Sequence, residues 1–410
     1  MKILHTSDWH IGRALHDRRR LDEHQSFFSW LQETLVRESI DILLVCGDVF
    51  DTIAPGNRQL ELYYSFLKST TDLGCRHTII IGGNHDSPSL LDAPKKVLET
   101  LGVHVIGSTP QSIEDEFILL RDLKGEPEAI VCAVPFLRDR DVRESAEQEQ
   151  FTDKAERLQA GVEAHYRKVG EYAELLLNSL PVPVPVIVTG HLFAAGSKCV
   201  EDDGVRDLYV GTSAEVPASF FPSIADYVAL GHLHVPQKVS GTDTIRYSGS
   251  PIPMGFGEAH HTKQVVVVEF SPGTLFPHVA SIPIPQFQKL EGVSGSLEEI
   301  EHKLSELVNL QQSVWVEVEY TGSLSATALR SHLDDIVADS AVEILRLRNT
   351  LVLNRILHQE GWEQTLDDLD EREVFRRRLA CETLEPAEVT MLNTLYDSVL
   401  SSLREEEEEQ

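Results

Sequence analysis

Cysteine is scarce in this chain, and none of its five cysteines forms a Cys-x-x-Cys pair. That argues against a structural zinc site built on thiolates, and reduced, buried thiols are the default reading. Long hydrophobic runs are also missing. The stretch from Val265 to Phe270 is strand-sized, far short of the roughly 20 residues that cross a membrane. No basic segment followed by an apolar core precedes the first strand-like run, so a cytoplasmic location is expected. No Gly-x-x-x-x-Gly-Lys loop is present, which argues against this chain binding a nucleoside triphosphate by itself. Positive charge is in short supply: 36 basic against 66 acidic residues leave −30. Nucleic-acid binders usually carry a basic footprint, so tight autonomous binding of DNA is not expected. The terminal run Glu405-Glu406-Glu407-Glu408-Glu409 accounts for part of the imbalance and reads as a solvated tail.

What is present is a repeated grammar of apolar runs that end in metal-ligand residues. Five segments share it: Ile3-Leu4-His5-Thr6-Ser7-Asp8-Trp9-His10, Leu43-Leu44-Val45-Cys46-Gly47-Asp48, Ile79-Ile80-Ile81-Gly82-Gly83-Asn84-His85-Asp86, Val186-Ile187-Val188-Thr189-Gly190-His191 and Val228-Ala229-Leu230-Gly231-His232-Leu233-His234. Strands of a buried α/β sheet read as near-continuous apolar runs, and their carboxyl ends open into a shared crevice. Asp8 with His10, and His232 with His234, stand two residues apart, which on an extended backbone points both side chains one way. Gly47, Gly83, Gly190 and Gly231 directly precede a candidate ligand, where glycine allows a tight turn and close backbone approach.

Imidazoles, carboxylates and one amide oxygen suit borderline to hard divalent ions. Manganese is expected, with magnesium or iron as alternatives. Two ions about 3.5 to 4 Å apart need a bridging carboxylate, and they activate water and neutralise a phosphoryl group. Asp48 is the best candidate for that bridge. One such motif alone can be a turn or a satisfied core polar group. Five in order favour a shared metal, because buried charges and imidazoles without partners are costly. The remaining histidines, His16 and His24 among them, read as surface or packing residues.

At these positions the chain resembles the calcineurin-like metallophosphoesterase superfamily, whose motifs match Asp8-x-His10, Gly47-Asp48-Val49-Phe50-Asp51, Gly83-Asn84-His85-Asp86, Gly190-His191 and Gly231-His232-Leu233-His234 in order. The opening His5-Thr6-Ser7-Asp8-Trp9-His10-Ile11-Gly12, the block Val134-Pro135-Phe136-Leu137-Arg138 and the block Tyr247-Ser248-Gly249-Ser250-Pro251-Ile252-Pro253 are similar to the bacterial nuclease subunits of the double-strand-break repair family. The resemblance spans nearly the whole chain. It implies one metal held by Asp8, His10, Asp48 and His234 and a second by Asp48, Asn84, His191 and His232. His85 is then uncoordinated and catalytic, stabilising or protonating the leaving oxygen, with Asp86 orienting its imidazole. It also implies a homodimer within a heterotetramer, with an ATPase partner, and a dimer face near Leu60 to Leu67.

The expected fold class is α/β: a metallophosphoesterase sandwich of mixed sheets flanked by helices, a small α+β cap and C-terminal helices. At 410 residues the chain exceeds a single core, and three parts are expected. Residues 1–275 form the phosphoesterase domain, with helices at Ser26 to Val36, Leu60 to Leu67, Pro94 to Leu101 and about Phe151 to Leu180. Ile282-Pro283-Ile284-Pro285 marks a boundary. Residues 276–350 form a βαβαβ cap, its first helix opened by the Ser296-x-x-Glu299 capping box. By the resemblance, the cap helps guide DNA, with Arg246, Lys289, Lys303, Arg330, Arg346 and Arg348 as candidate phosphate contacts. Residues 351–410 carry helical stripes (Leu366, Leu369, Phe375 and Leu379, then Leu392, Leu395, Val399 and Leu403) that either pack on themselves or dock the coiled-coil base of the ATPase, with Arg376-Arg377-Arg378 adding charge.

The expected activity is a two-metal DNA phosphodiesterase, exonuclease on double-stranded ends and endonuclease on hairpins or single strands, in DNA repair and recombination. Two other readings stay open: a phosphatase of the same fold acting on a small molecule or phosphoprotein, and a non-catalytic scaffold for an ATPase.

Overall fold

The structure is a computed structural model of the chain, and it describes residues 1–143, 154–197, 216–271 and 273–349, together with 375, 391–393, 395 and 396. Most of the expected C-terminal helices, the Arg376-Arg377-Arg378 cluster and the acidic tail lie outside the described residues. Contacts divide the chain into two compact units, Met1–Lys289 and Leu290–Gln410. No helix among the described residues is long and apolar enough to cross a membrane.

Two six-stranded sheets make the first unit. In one, the order is His278–Pro283, Gln264–Glu269, Lys2–Thr6, Ile42–Cys46, His77–Ile81 and Val103–Ile106. Its last four strands run parallel and its first two are antiparallel. In the other, the order is Gln237–Lys238, Ile245–Tyr247, Tyr227–Gly231, Val186–His191, Pro127–Cys132 and Phe117–Arg121. There the four central strands are parallel and each edge is antiparallel. Short antiparallel edges on a parallel centre are common in large mixed sheets.

Both faces of the central strands are buried, which is why they read as unbroken apolar runs. Alternate residues go to different cores. Leu43 and Val45 join Phe27, Phe28, Leu31 and Phe66 from the helices Leu21–Glu38 and Asn57–Asp72. Ile42, Leu44 and Cys46 instead meet Ile187, Tyr227 and Ala229 of the second sheet. Behind that sheet, Val186, Val188 and Val228 pack against Tyr166, Val169 and Ala173 of the helix Lys154–Ser179. The layers are helix, sheet, sheet, helix, the mixed sandwich that the sequence leads one to expect. The strand His278–Pro283 continues the first unit beyond residue 275, because it pairs along the whole of Gln264–Glu269.

From the strand that crosses into the second unit onward, strand, helix, strand, helix and strand alternate: Lys289–Gly295, Leu297–Asn309, Val314–Tyr320, Ala326–Val337 and Val342–Asn349. Val314–Tyr320 alternates strictly between buried and half-buried residues, the period-2 mark of a sheet with one face on a core. Ile300, Leu304 and Leu307 come from one helix face and Leu329 and Leu333 from the other helix. Ser296 and Glu299 form the reciprocal capping box at the first helix start.

Candidate metal centre

Every expected ligand lies at the carboxyl end of a parallel strand. Asp8 and His10 follow Lys2–Thr6, Asp48 follows Ile42–Cys46, Asn84 follows His77–Ile81, His191 ends Val186–His191, and His232 and His234 follow Tyr227–Gly231. The backbone there is bent hard. Asp8 (φ 53°), His10 (φ 45°), Asp48 (φ 49°) and His232 (φ 103°) all adopt positive φ, a conformation costing about 1–3 kcal/mol each that concentrates at functional sites. Gly47 also turns left-handed (φ 83°), and a Cβ there would fall on the ring of His191. At Gly231 a Cβ would collide with the carbonyl of Cys46. Those glycines let two strand ends from different sheets pass close enough to share a site.

The ligands gather in two groups, Asp8 with His10 and His234, and Asp48 with His191 and His232, with the donor atoms of each group within 4.8 Å of one another. Asp48 reaches both: its Oδ2 is 3.2 Å from His191 Nε2 and 3.6 Å from His10 Nε2. Asn84 joins the second group, its Oδ1 2.9 Å from His191 Nε2 and 3.2 Å from His232 Nδ1. Asp8 Oδ1 accepts from the backbone N–H of His232 at 2.8 Å, which ties the groups together.

The outward ring nitrogens show which nitrogen of each ring faces inward. His10 Nδ1 lies 3.3 Å from Asp51 Oδ1, His234 Nδ1 3.4 Å from Glu258 Oε1, and His191 Nδ1 3.0 Å from the Cys46 carbonyl. These neighbours lie on the outward side of each ring and leave Nε2 as the nitrogen turned toward the carboxylates. Two such nitrogens, His10 Nε2 and His234 Nε2, then stand 3.1 Å apart beside the buried carboxylates of Asp8 and Asp48. Two imidazole nitrogens and two carboxylates converging on one buried point form a donor set that fits a divalent cation.

His85 is placed beside the cluster. Its Nδ1 donates to the Asp51 carbonyl at 3.0 Å, and its ring stands edge-on to His10 at 4.8 Å between centroids. Its backbone N–H donates to Asp48 Oδ1 at 2.9 Å. The expectation that Asp86 orients this imidazole is corrected by the geometry. The Asp86 carboxylate turns away and accepts the backbone N–H groups of Val49, Phe50 and Gly83 at 3.1, 2.9 and 2.9 Å. It braces the Asp48 turn, and Asp51 holds His85. Asp51 and Glu258 are therefore site residues that ligand spacing misses. Asp51 at least closes the Gly47-to-Asp51 motif, whereas nothing local marks Glu258.

Burial opposes charge on Asp48, but His191, and then His10 and His85, outweigh it and hold its carboxyl well below the usual range. The Asp48 carboxyl is thus ionised at neutral pH. Burial also opposes charge on His191, yet Asp48 lifts it to about 9. Burial, and then the charge of Asp48, push Asp86 up to about 6 against its three backbone donors.

The candidate phosphate contacts mostly have carboxylate neighbours. Arg246 lies 3.8 Å from Asp243, Lys303 3.2 Å from Glu306 and Arg330 2.9 Å from Asp334. Arg346 and Arg348 share Glu317 at 3.2 and 3.4 Å. Much of their charge is thus met at home.

Buried carboxylates and imidazoles at the ends of parallel strands in a two-sheet sandwich define a metallophosphoesterase, whose site works with divalent metal ions. Comparison with known proteins agrees. Residues 1–236 match the Calcineurin-like phosphoesterase family, and residues 286–383 match the family described as Type 5 capsule protein repressor C-terminal domain. The chain is 34% identical over 410 residues to the SbcD subunit of the nuclease SbcCD of Escherichia coli K12, covering 100% of each. It is 36% identical over 296 residues to the SbcD subunit of Rhodobacter capsulatus, 70% of each chain, and 32% over 324 residues to that of Bacillus subtilis, 78% of each. The chain belongs to the calcineurin-like phosphoesterase family and, within it, to the SbcD subunits.

Proposed function

We propose that this protein is the nuclease subunit of an SbcCD-type complex: a metal-dependent DNA phosphodiesterase acting on double-stranded ends and on hairpins or single strands, in DNA repair and recombination. The observation that carries the reading is the pair of donor groups joined at Asp48, with His85 held beside them by Asp51. Asp8, His10, His234 and Asp48 would hold one ion, and Asp48, Asn84, His191 and His232 the other. Manganese is the favoured metal on the chemistry of this donor set, with magnesium or iron as alternatives. When bound, the ions supply positive charge to the phosphoryl oxygens and acidify water.

The chain's own groups do the rest. Asn84 helps orient a phosphate oxygen, and water attacks phosphorus in line with the departing oxygen, losing a proton to solvent as the new P–O bond forms. The His85 ring, with Nδ1–H committed to the Asp51 carbonyl, acts as the imidazolium: its Nε2–H donates to that oxygen and passes its proton to it as the P–O bond breaks. Asp86 keeps the Asp48 turn in place. The net negative charge leaves most DNA affinity to a basic partner, and an SbcC-type ATPase docked on the C-terminal helices fits that need. A homodimer within the heterotetramer, a DNA-guiding role for residues 276–350 and a cytoplasmic location complete the proposal.

The test is cleavage of a labelled hairpin-ended duplex by wild type and His85→Ala, with manganese or chelator, with and without the partner ATPase, beside a generic phosphomonoester. Wild type is expected to cleave DNA only with metal. His85→Ala should lose about 10²- to 10⁴-fold, the range for general acid–base groups, while retaining its metal content. Hydrolysis of the monoester alone would replace the nuclease reading with a phosphatase, and inactivity on both with the partner present would leave a scaffold.

A further inference from the structure

The two donor groups differ both in their own charge and in what stands behind them. Asp8 and the shared Asp48 bring two carboxylates to the His10 and His234 group, whereas Asn84 gives the His191 and His232 group a neutral amide beside Asp48. Behind His10 is the Asp51 carboxylate, itself 3.3 Å from Arg13 Nη1. Behind His234 is Glu258, whose Oε2 accepts from Lys263 Nζ and from the Met254 N–H at 2.9 Å while Oε1 faces His234. Lys263 is buried, and its other donors go to the His234 carbonyl at 2.8 Å and Ser250 Oγ at 2.9 Å. Behind His191, among the described residues, stands the neutral Cys46 carbonyl. A carboxylate at Nδ1 makes Nε2 a stronger donor and fixes its direction more firmly than a carbonyl does.

We infer that the two metal positions are unequal. The Asp8, His10 and His234 position holds its ion tightly, and the Asn84, His191 and His232 position exchanges with the surrounding metal pool, so that occupancy of the weaker one decides when the enzyme is complete. Asp51 and Glu258 are positioning residues for the tight position, with Arg13 and Lys263 holding their carboxylates. The inference rests on the ligand assignments proposed above.

Titration of the chelator-stripped full-length chain with Mn²⁺, following free ion by electron paramagnetic resonance, tests it without any turnover. Two binding classes are expected for wild type. Glu258→Gln should weaken the tighter class about 10- to 100-fold, the usual cost of removing an outer partner of a metal ligand, and Asn84→Ala should weaken the other. Because Glu258→Gln leaves Lys263 buried without its carboxylate, Asp51→Asn serves as a second variant nearer the surface, with the same expected effect. Two equal classes in wild type, or loss of the weaker class in Glu258→Gln or Asp51→Asn, would overturn the inequality. A folded wild type that binds no Mn²⁺ would overturn the ligand assignment itself.

Discussion

In the first unit, charged and polar side chains such as Asp8, His10, Asp48, His191, Glu258 and Lys263 are buried, and four of the proposed ligands take positive φ. In the second, the buried side chains among the described residues are apolar save for the Tyr320 hydroxyl, and the positive-φ non-glycine residues are Gln311 and Asp339, just past its two helices. Both units obey the same packing physics, yet among the described residues only the first buries charge, and much of that charge sits where five strand ends meet. Uncompensated burial of this kind costs several kcal/mol per ion, and strained backbone persists only where the surroundings over-determine it. The phosphoesterase unit tolerates these costs because three apolar cores hold the two sheets that carry the site. The smaller unit, with one core, carries no comparable charge inside.

The largest way to sharpen the contrast is to remove metal. A ligand that binds only the folded state adds about 4 kcal/mol at a thousandfold excess over its Kd. Chelation should therefore lower hydrogen-exchange protection at the strands Lys2–Thr6, Ile42–Cys46 and Tyr227–Gly231 and leave Val314–Tyr320 unchanged. Equal loss in both units would break the comparison. The reciprocal change is Leu304→Ala, which empties the centre of the second core and should cost about 2–5 kcal/mol. Exchange should quicken in Leu297–Asn309 and Val314–Tyr320, with Mn²⁺ stoichiometry as in wild type.

A buried histidine away from the metal ligands gives a pH-dependent test. His5 accepts at Nδ1 from the Tyr227 hydroxyl (3.0 Å) and donates from Nε2 to the Leu230 carbonyl (3.2 Å), so the neutral ring is fully satisfied. Burial lowers its pKa to about 3 from 6.5. The unfolded chain then binds the proton more readily between those values, so stability is intact above about 6.5 and falls as pH drops toward 3. By pH 5 the loss is about 2 kcal/mol, at roughly 1.4 kcal/mol for each pH unit. His5→Gln should flatten that part of the pH–stability curve in urea unfolding, and an unchanged slope would show that His5 is not the group responsible.

Much of this was legible in sequence because a parallel strand buried on both faces has to be apolar. The glycine before Asp48, Asn84 or His191 is required sterically, so the strand ends and the candidate ligands on them declare themselves locally. Strand order does not, since neighbours such as Lys2–Thr6 and Gln264–Glu269 are far apart in the chain. The outer partners were hidden for the same reason: Glu258 meets His234 only through the folded loop, and its neighbours give no repeating pattern. Asp86 misled because it stands next to His85 in sequence, while its side chain is drawn to the three backbone donors of the turn.

The smallest expected effect lies in the second unit, whose order depends on ordinary local rules. Ser296 accepts from the Glu299 N–H at 3.4 Å, and Glu299 accepts from the Ser296 N–H at 2.8 Å, so each side chain satisfies a donor that the first helical turn leaves open. Ser296→Ala removes one half of this exchange and should cost about 1 kcal/mol. Ser296→Thr keeps the hydroxyl and should cost less. Faster exchange confined to the start of Leu297–Asn309, with Mn²⁺ binding unchanged, is the expected result. A change in metal affinity would mean that the second unit bears on the metal ligands, and the division of labour between the units would then fail.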